Sequence, residues 1–159
     1  MSENRIKIRP YEFSDHFFRQ TGLLVTKNKG GETNVMALDW KSIGELWHIP
    51  IITIAVAPSR YSFQYLTKGI REFTVNIPSP EIEDAIMITG SSSGRSTDKF
   101  KKAGLERIKG EEVQVPTLKN SLLSYECEIV HETQSGNMAP HHLFFGKILK
   151  AYAHKSITK

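Results

Sequence analysis

The sequence is poor in cysteine. Cys127 stands alone among 159 residues, which excludes an internal disulfide and any cysteine-rich metal site. It falls in the alternating stretch 122–130 and is expected to be a buried structural thiol. No apolar run approaches the length of a bilayer-crossing helix, and residues 1–30 lack the layout of a secretory leader. No membrane role and a cytoplasmic location are therefore expected. Excess charge of one sign is scarce too: 21 Lys+Arg against 17 Asp+Glu leave a net charge of +4. That balance favours anionic ligands mildly, and the scattered basic residues do not make a nucleic-acid footprint. The densest basic cluster, Lys99, Lys101 and Lys102, reads as one face of a helix. No glycine-rich loop ends in Gly–Lys–Ser/Thr and no GxGxxG occurs, so neither nucleotide fingerprint applies. His141 and His142 are adjacent, point to opposite faces in a strand and cannot chelate one metal together, so no metal is expected.

What is present fits one globular domain over residues 1–159, with residues 1–10 a mobile or edge arm. The chain is organised around residues 53–78. Thr53, Ile54, Ala55 and Val56 read as a strand stopped by Pro58, and residues 73–77 as another stopped by Pro78. Between them Phe63, Leu66 and Ile70 recur at helical spacing, with Ser62 placed to cap and Gly69 near the end. Ser59, Arg60 and Ser62 before a helix N-terminus can satisfy a phosphate, through hydroxyl donors, a forked guanidinium and unpaired backbone N–H groups. On the turn alone, the plainer reading of the same three residues, as caps and a solvated charge, comes first.

In chain order, Tyr11, Phe13, Phe17 and Phe18 form an aromatic cluster expected in the core or at a subunit contact. Residues 22–26 and 33–38 read as strands joined by a turn whose paired glycines supply positive φ. On the second strand Asn34, Met36 and Leu38 share one face, and Val35 and Ala37 the other. Trp40 follows. Residues 42–48 read as a connection or helical turn, and 81–89 as a helix. The Gly/Ser-rich run 90–97 leads into a helix from Asp98 to the Gly104 stop, and such a loop can offer donors to an anion. Residues 105–115 read as loop plus a short strand, then 122–132 and 143–149 as a long hairpin. Many strands, short turns and no regular β–α alternation predict a mainly β, antiparallel, closed or nearly closed barrel with peripheral helices.

Five separated segments make the chain resemble the flavin reductase-like, FMN-binding split-barrel proteins, in their flavoredoxin-like branch. They are residues 34–40, 58–62, 72–78, 90–95 with 98–100, and 142–148, in register over almost the whole chain. The resemblance implies a Greek-key split β-barrel with short helices, a homodimer, and FMN near the subunit interface. It makes Ser59, Arg60 and Ser62 the phosphate clamp. Asn34, Met36, Ala37 and Leu38 would lie along the isoalloxazine, with Trp40 near the ring or ribityl chain and Asn76 hydrogen-bonding the flavin. Ser92, Ser93, Gly94 and Lys99 would reach the pyrimidine end. No catalytic side chain is implied, because hydride transfer from NADH or NADPH needs stacked rings above all.

Many flavoredoxin-like relatives carry Cys where this chain has Thr89, so a thiol-dependent step there is not expected. The expected activity is NAD(P)H-dependent flavin reduction. The alternatives are an FMN electron-transfer protein served by a redox protein, and a split barrel holding a tetrapyrrole or no ligand.

Overall fold

The computed structural model describes residues 4–95, 98–137 and 140–159. It is mainly β, with 45% strand and 18% helix. The described residues form strands β1 (Arg5–Ile8), β2 (Gly22–Lys27), β3 (Thr33–Leu38), β4 (Lys41–Leu46), β5 (Ile49–Val56), β6 (Glu72–Pro78), β7 (Arg107–Ile108), β8 (Thr117–Leu118), β9 (Ser121–Gln134) and β10 (His142–His154). The helices are α1 (Asp15–Arg19), α2 (Tyr61–Lys68), α3 (Asp84–Gly90) and α4 (Lys99–Ala103). Eight strands make one antiparallel sheet in the order β3-β2-β6-β9-β10-β5-β4, with β1 also on β10, while β7 and β8 pair separately. Arg5–Ile8 of the N-terminal arm is thus an edge strand.

Strand β2 shows why the barrel needs its peripheral helices. Its residues from Gly22 to Thr26 are all buried, so both faces must be covered. Leu24 faces a core with Met36, Leu38, Phe73, Val75 and Tyr125. Leu23 and Val25 face the other way, onto Ile82, Ala85, Phe100 and the segment reaching Leu118. Met36 and Leu38 of β3 likewise point into the first core and Val35 into the second, as the alternation predicts. The turn between β2 and β3 closes with Asn28 N donating to Glu32 O at 2.9 Å and Gly31 at φ 93°.

Four expectations change. Residues 42–48 are not helical: they belong to β4 and the turn joining it to β5, with Leu46 paired to Ile49. Trp47 and His48 adopt φ 55° and 60° there, a two-residue turn made without glycine. Residues 81–83 form turns, so α3 starts only at Asp84. Ser62 lies inside α2; the N-cap is Arg60, and no side chain caps that end. Lys99 does not share an exposed face with Lys101 and Lys102, because it is buried and they are exposed. The aromatic cluster also divides: Phe17 is buried, whereas Tyr11 and Phe18 are exposed. Cys127 is buried as expected, and burial pushes its thiol well up.

Candidate binding site

Strand β5 must stop where Pro58 removes a backbone donor. The chain then turns, Arg60 N donating to Ala57 O at 3.0 Å, and α2 begins with Phe63 N donating to Arg60 O at 3.0 Å. The first N–H groups of α2 have no helical carbonyl to bind. Ser59, Arg60 and Ser62 are thereby placed at one wall of a cavity of about 420 Å3.

The opposite wall comes from the end of α3 and the Gly/Ser-rich loop. Ser91 Oγ donates to Met87 O at 2.8 Å, which ends α3, and Lys102 Nζ donates to Ser92 Oγ at 3.1 Å. Gly94 fits this loop onto β3 because it has no Cβ: one built there would lie 2.1 Å from Asn34 Oδ1 and 2.8 Å from Tyr61 Cδ2. The Arg95 guanidinium then sits 5.0 Å from the Tyr61 ring centroid. Asn34 is buried on the cavity floor and donates from Nδ2 to Ser62 Oγ at 2.8 Å. Ser62 is itself fully buried, so it holds the Asn34 amide in place.

The electrostatics are one-sided. Arg60, Arg95 and Lys99 line this cavity with five serines, and no Asp or Glu does among the described residues. Lys99 is only 4% exposed, yet no hydrogen bond or ion pair engages its ammonium among the described residues. Burial, with the Arg60 guanidinium nearby, pushes the Lys99 ammonium down to about 8. A buried cation beside a second cation is the arrangement that a multiply charged anion neutralises.

A narrower cleft of about 90 Å3 adjoins the cavity, sharing Met36 and Arg60 with it. Met36, Ala37, Leu38, Asp39 and Trp40 line one side, and Ala55, Ala57 and His141 the other. Trp40 is 65% exposed at its mouth. The cleft lies between β3 and β5, strands that the sheet order does not pair.

The structure therefore brings together Asn34, Met36, Ser59, Arg60, Ser62, Ser92, Ser93 and Lys99 in the cavity, and Met36, Ala37, Leu38 and Trp40 in the cleft. Lys99 stands in the same cavity as Arg60 and Ser59, so the residues expected at the two ends of a flavin share one basin. Gly94 packs against the floor without lining it. Asn76 is not brought to the site. It is fully buried in β6; its Oδ1 accepts from Leu118 N at 3.0 Å and Ser124 Oγ at 2.9 Å. Its Nδ2 donates to Leu23 O at 3.3 Å and Thr74 Oγ1 at 3.1 Å, so its bonding capacity is spent inside the fold.

Arg95 and Tyr61 were not among the expected site residues. A cation inside a Ser/Gly-rich loop was the available signal for Arg95; Tyr61 needed the fold. The neighbouring histidines separate where β10 begins: His141, just before the strand, borders the cleft, whereas His142 Nε2 lies 2.9 Å from Glu132 Oε1, and Glu132 also pairs with Arg71. A larger hollow of about 520 Å3 lies elsewhere, beside Arg5, Lys7 and Tyr152. Its Arg5, Lys7 and Glu111 charges are already engaged. Lys7 pairs with Glu111 at 3.2 Å, and Arg5 stacks 3.8 Å from the Tyr152 ring centre while donating to Thr117 Oγ1 at 2.9 Å. Among the described residues, no three His, Cys, Asp or Glu side chains are grouped to hold a metal, and no helix is long and apolar enough to cross a membrane.

Comparison with known proteins gives concordant results. The model of a family described as "Flavin reductase like domain" matches residues 14–159. An uncharacterized protein of Pyrococcus abyssi is 36% identical over 133 residues, covering 83% of this chain and 72% of the relative. Among solved structures, flavoredoxin from Methanosarcina acetivorans superposes with a TM-score of 0.72 at 27% identity, over 85% of this chain and 68% of that one. An FMN-binding domain of a flavin reductase-like enzyme from Shewanella baltica superposes with a TM-score of 0.80 over 100% of this chain and 82% of that one, at 16% identity.

Proposed function

Because the chain belongs to the flavin reductase-like domain family, we propose that it is an FMN-binding oxidoreductase that passes hydride from NADH or NADPH to the flavin. The observation that carries this reading is the one-sided cavity, where Arg60, Arg95 and Lys99 meet five serines and no carboxylate, with a narrower cleft beside it. Its donor set fits a phosphate dianion. Arg60 would fork onto the phosphate oxygens, with Ser59 and the first N–H groups of α2 completing the cradle. Asn34, fixed by Ser62, would present its amide towards the ribityl side, while the Met36–Leu38 backbone would run along the ring. FMN supplies the hydride-accepting centre when bound. The protein's part is to orient the ring and to leave one face open at the cleft mouth, where Trp40 and His141 would border a second planar ring.

The alternative reading, an electron-transfer protein served by a redox partner, draws support from the similarity to a protein named flavoredoxin. One cuvette separates them. Purified protein loaded with FMN is expected to show flavin bands that bleach within seconds of anaerobic NADH or NADPH addition. Bands that persist until dithionite is added would favour the electron carrier, and failure to take up FMN would remove both readings. A cytoplasmic homodimer belongs to the same proposal; Trp47 and Phe18, 60% and 62% exposed, are apolar surface of the kind subunit contacts cover. Light scattering is expected to give twice the 18.0 kDa chain mass.

A further inference from the structure

Lys99 is held unlike any other lysine of the cavity region. The Asp98 carboxylate, which caps α4 by accepting from Lys101 N at 3.2 Å, starts the helix in a direction that turns Lys99 inward. Lys101 and Lys102 stay in solvent. Lys99 lines both the 420 Å3 cavity and a neighbouring hollow of about 300 Å3, so it forms the partition between them. The groups facing it come from every surrounding element. Arg60 and Tyr61 stand on the α2 side and Arg95 on the loop side. Glu32, Tyr65, Asp98 and Arg107 stand around the second hollow. Neither carboxylate reaches the ammonium: no ion pair joins Lys99 to Glu32 or Asp98, and Arg107 is spent on Thr33 Oγ1 at 2.9 Å and on the Phe100 ring. Burial raises the Tyr65 hydroxyl, which stays protonated through mildly alkaline pH.

We propose that the cavity is a proton-coupled anion site, in which a bound phosphate dianion fixes a proton on the Lys99 amine, drawn from solvent whenever the free protein has lost it. The proposal rests on reading the cavity as the FMN phosphate site. The balance is simple: the neutral amine plus one solvent proton gives the ammonium, and no other bond changes. The sign follows from linkage. Free Lys99 loses its proton near pH 8, and an anion beside it raises that value. Affinity for the dianion is therefore fully present below about pH 8 and is lost as pH rises through it. The guanidinium groups of Arg60 and Arg95 retain part of the affinity.

The test is fluorescence titration of FMN into the whole protein between pH 7 and 9.5, with Lys99→Arg and Lys99→Met alongside. Wild type is expected to weaken about 30-fold across that range if the anion holds Lys99 charged throughout. Calorimetry at pH 8.5 in buffers of different ionisation enthalpy is expected to show uptake of about 0.8 proton per FMN. Lys99→Arg keeps a cation that does not titrate here, so its profile is expected to be flat. Lys99→Met is expected to bind at least tenfold more weakly at pH 7, also with a flat profile. A flat wild-type profile with no proton uptake overturns the proposal, as does a wild-type slope retained in both variants. If FMN fails to bind wild type at every pH, the flavin reading falls and the proposal falls with it.

Discussion

Asn76 and Arg60 are both polar residues beside strand ends, and burial assigns them opposite work. Asn76 spends three hydrogen bonds joining β6 to Leu23, Leu118 and Ser124, and a fourth on Thr74 of its own strand. Thr74 on the same strand donates to Pro116 O at 2.7 Å, so the interior face of β6 pins the 116–118 segment. Asn76→Ala is expected to cost about 2–4 kcal/mol in urea unfolding, because it leaves buried donors and acceptors unpaired. FMN affinity of the folded variant should be unchanged. Arg60 is half-buried at the cavity wall and makes no ion pair among the described residues. Arg60→Ala is expected to weaken FMN binding by about 1.5–3 kcal/mol while leaving the unfolding midpoint in place. Equal losses of stability in the two variants would contradict this division. Side-chain type pointed to Arg60, which the fold brings to the cavity wall. The resemblance pointed to Asn76, whose amide the register of β6 against β2 and β9 turns inward.

At the scale of elements, strands and α2 were legible wherever turn chemistry was ordinary. Pro58 and Pro78 end their strands, Gly69 ends α2, and Asp98 opens α4. Strand β4 was hidden for a physical reason. Its apolar residues are interrupted by Gly44 and Glu45, and its turn lacks the Asn-Gly or Asp-Gly pair that normally marks two positive φ values. Trp47 instead packs edge-on against His131 and Phe145, with ring centroids 6.1 and 6.0 Å away, and this contact helps hold the turn. The neighbouring His48 side chain is 99% exposed and reaches only Glu45 at 3.4 Å, a surface pair worth little. His48→Gly removes the left-handed penalty of a side chain and sacrifices almost no packing. It is expected to stabilise the protein by about 0.5–1 kcal/mol, seen as a rise in Tm of about 1–4 °C.

For the whole molecule, the antiparallel barrel followed from many short strands without β–α alternation, but the site did not follow from any single stretch. It is assembled from β3, the turn before α2, the end of α3 and the start of α4, spread over residues 34–99. What joins them is the double-sided burial of β2 and β3, which draws the helices onto one face and leaves the loop cations converging on Asn34. That convergence favours an anion: three cations share the cavity on a chain whose net charge is already +4. The attraction of Arg60 and Arg95 is partly screened by salt, because neither is buried, whereas that of Lys99 is screened less. Raising NaCl from 50 to 500 mM at pH 7 is therefore expected to increase the Kd for FMN by about threefold to tenfold. Riboflavin, which has the same ring and no phosphate, should bind more weakly and show no such dependence. A salt response shared by both ligands would place the recognised charge on the ring and take the phosphate out of the basic cavity.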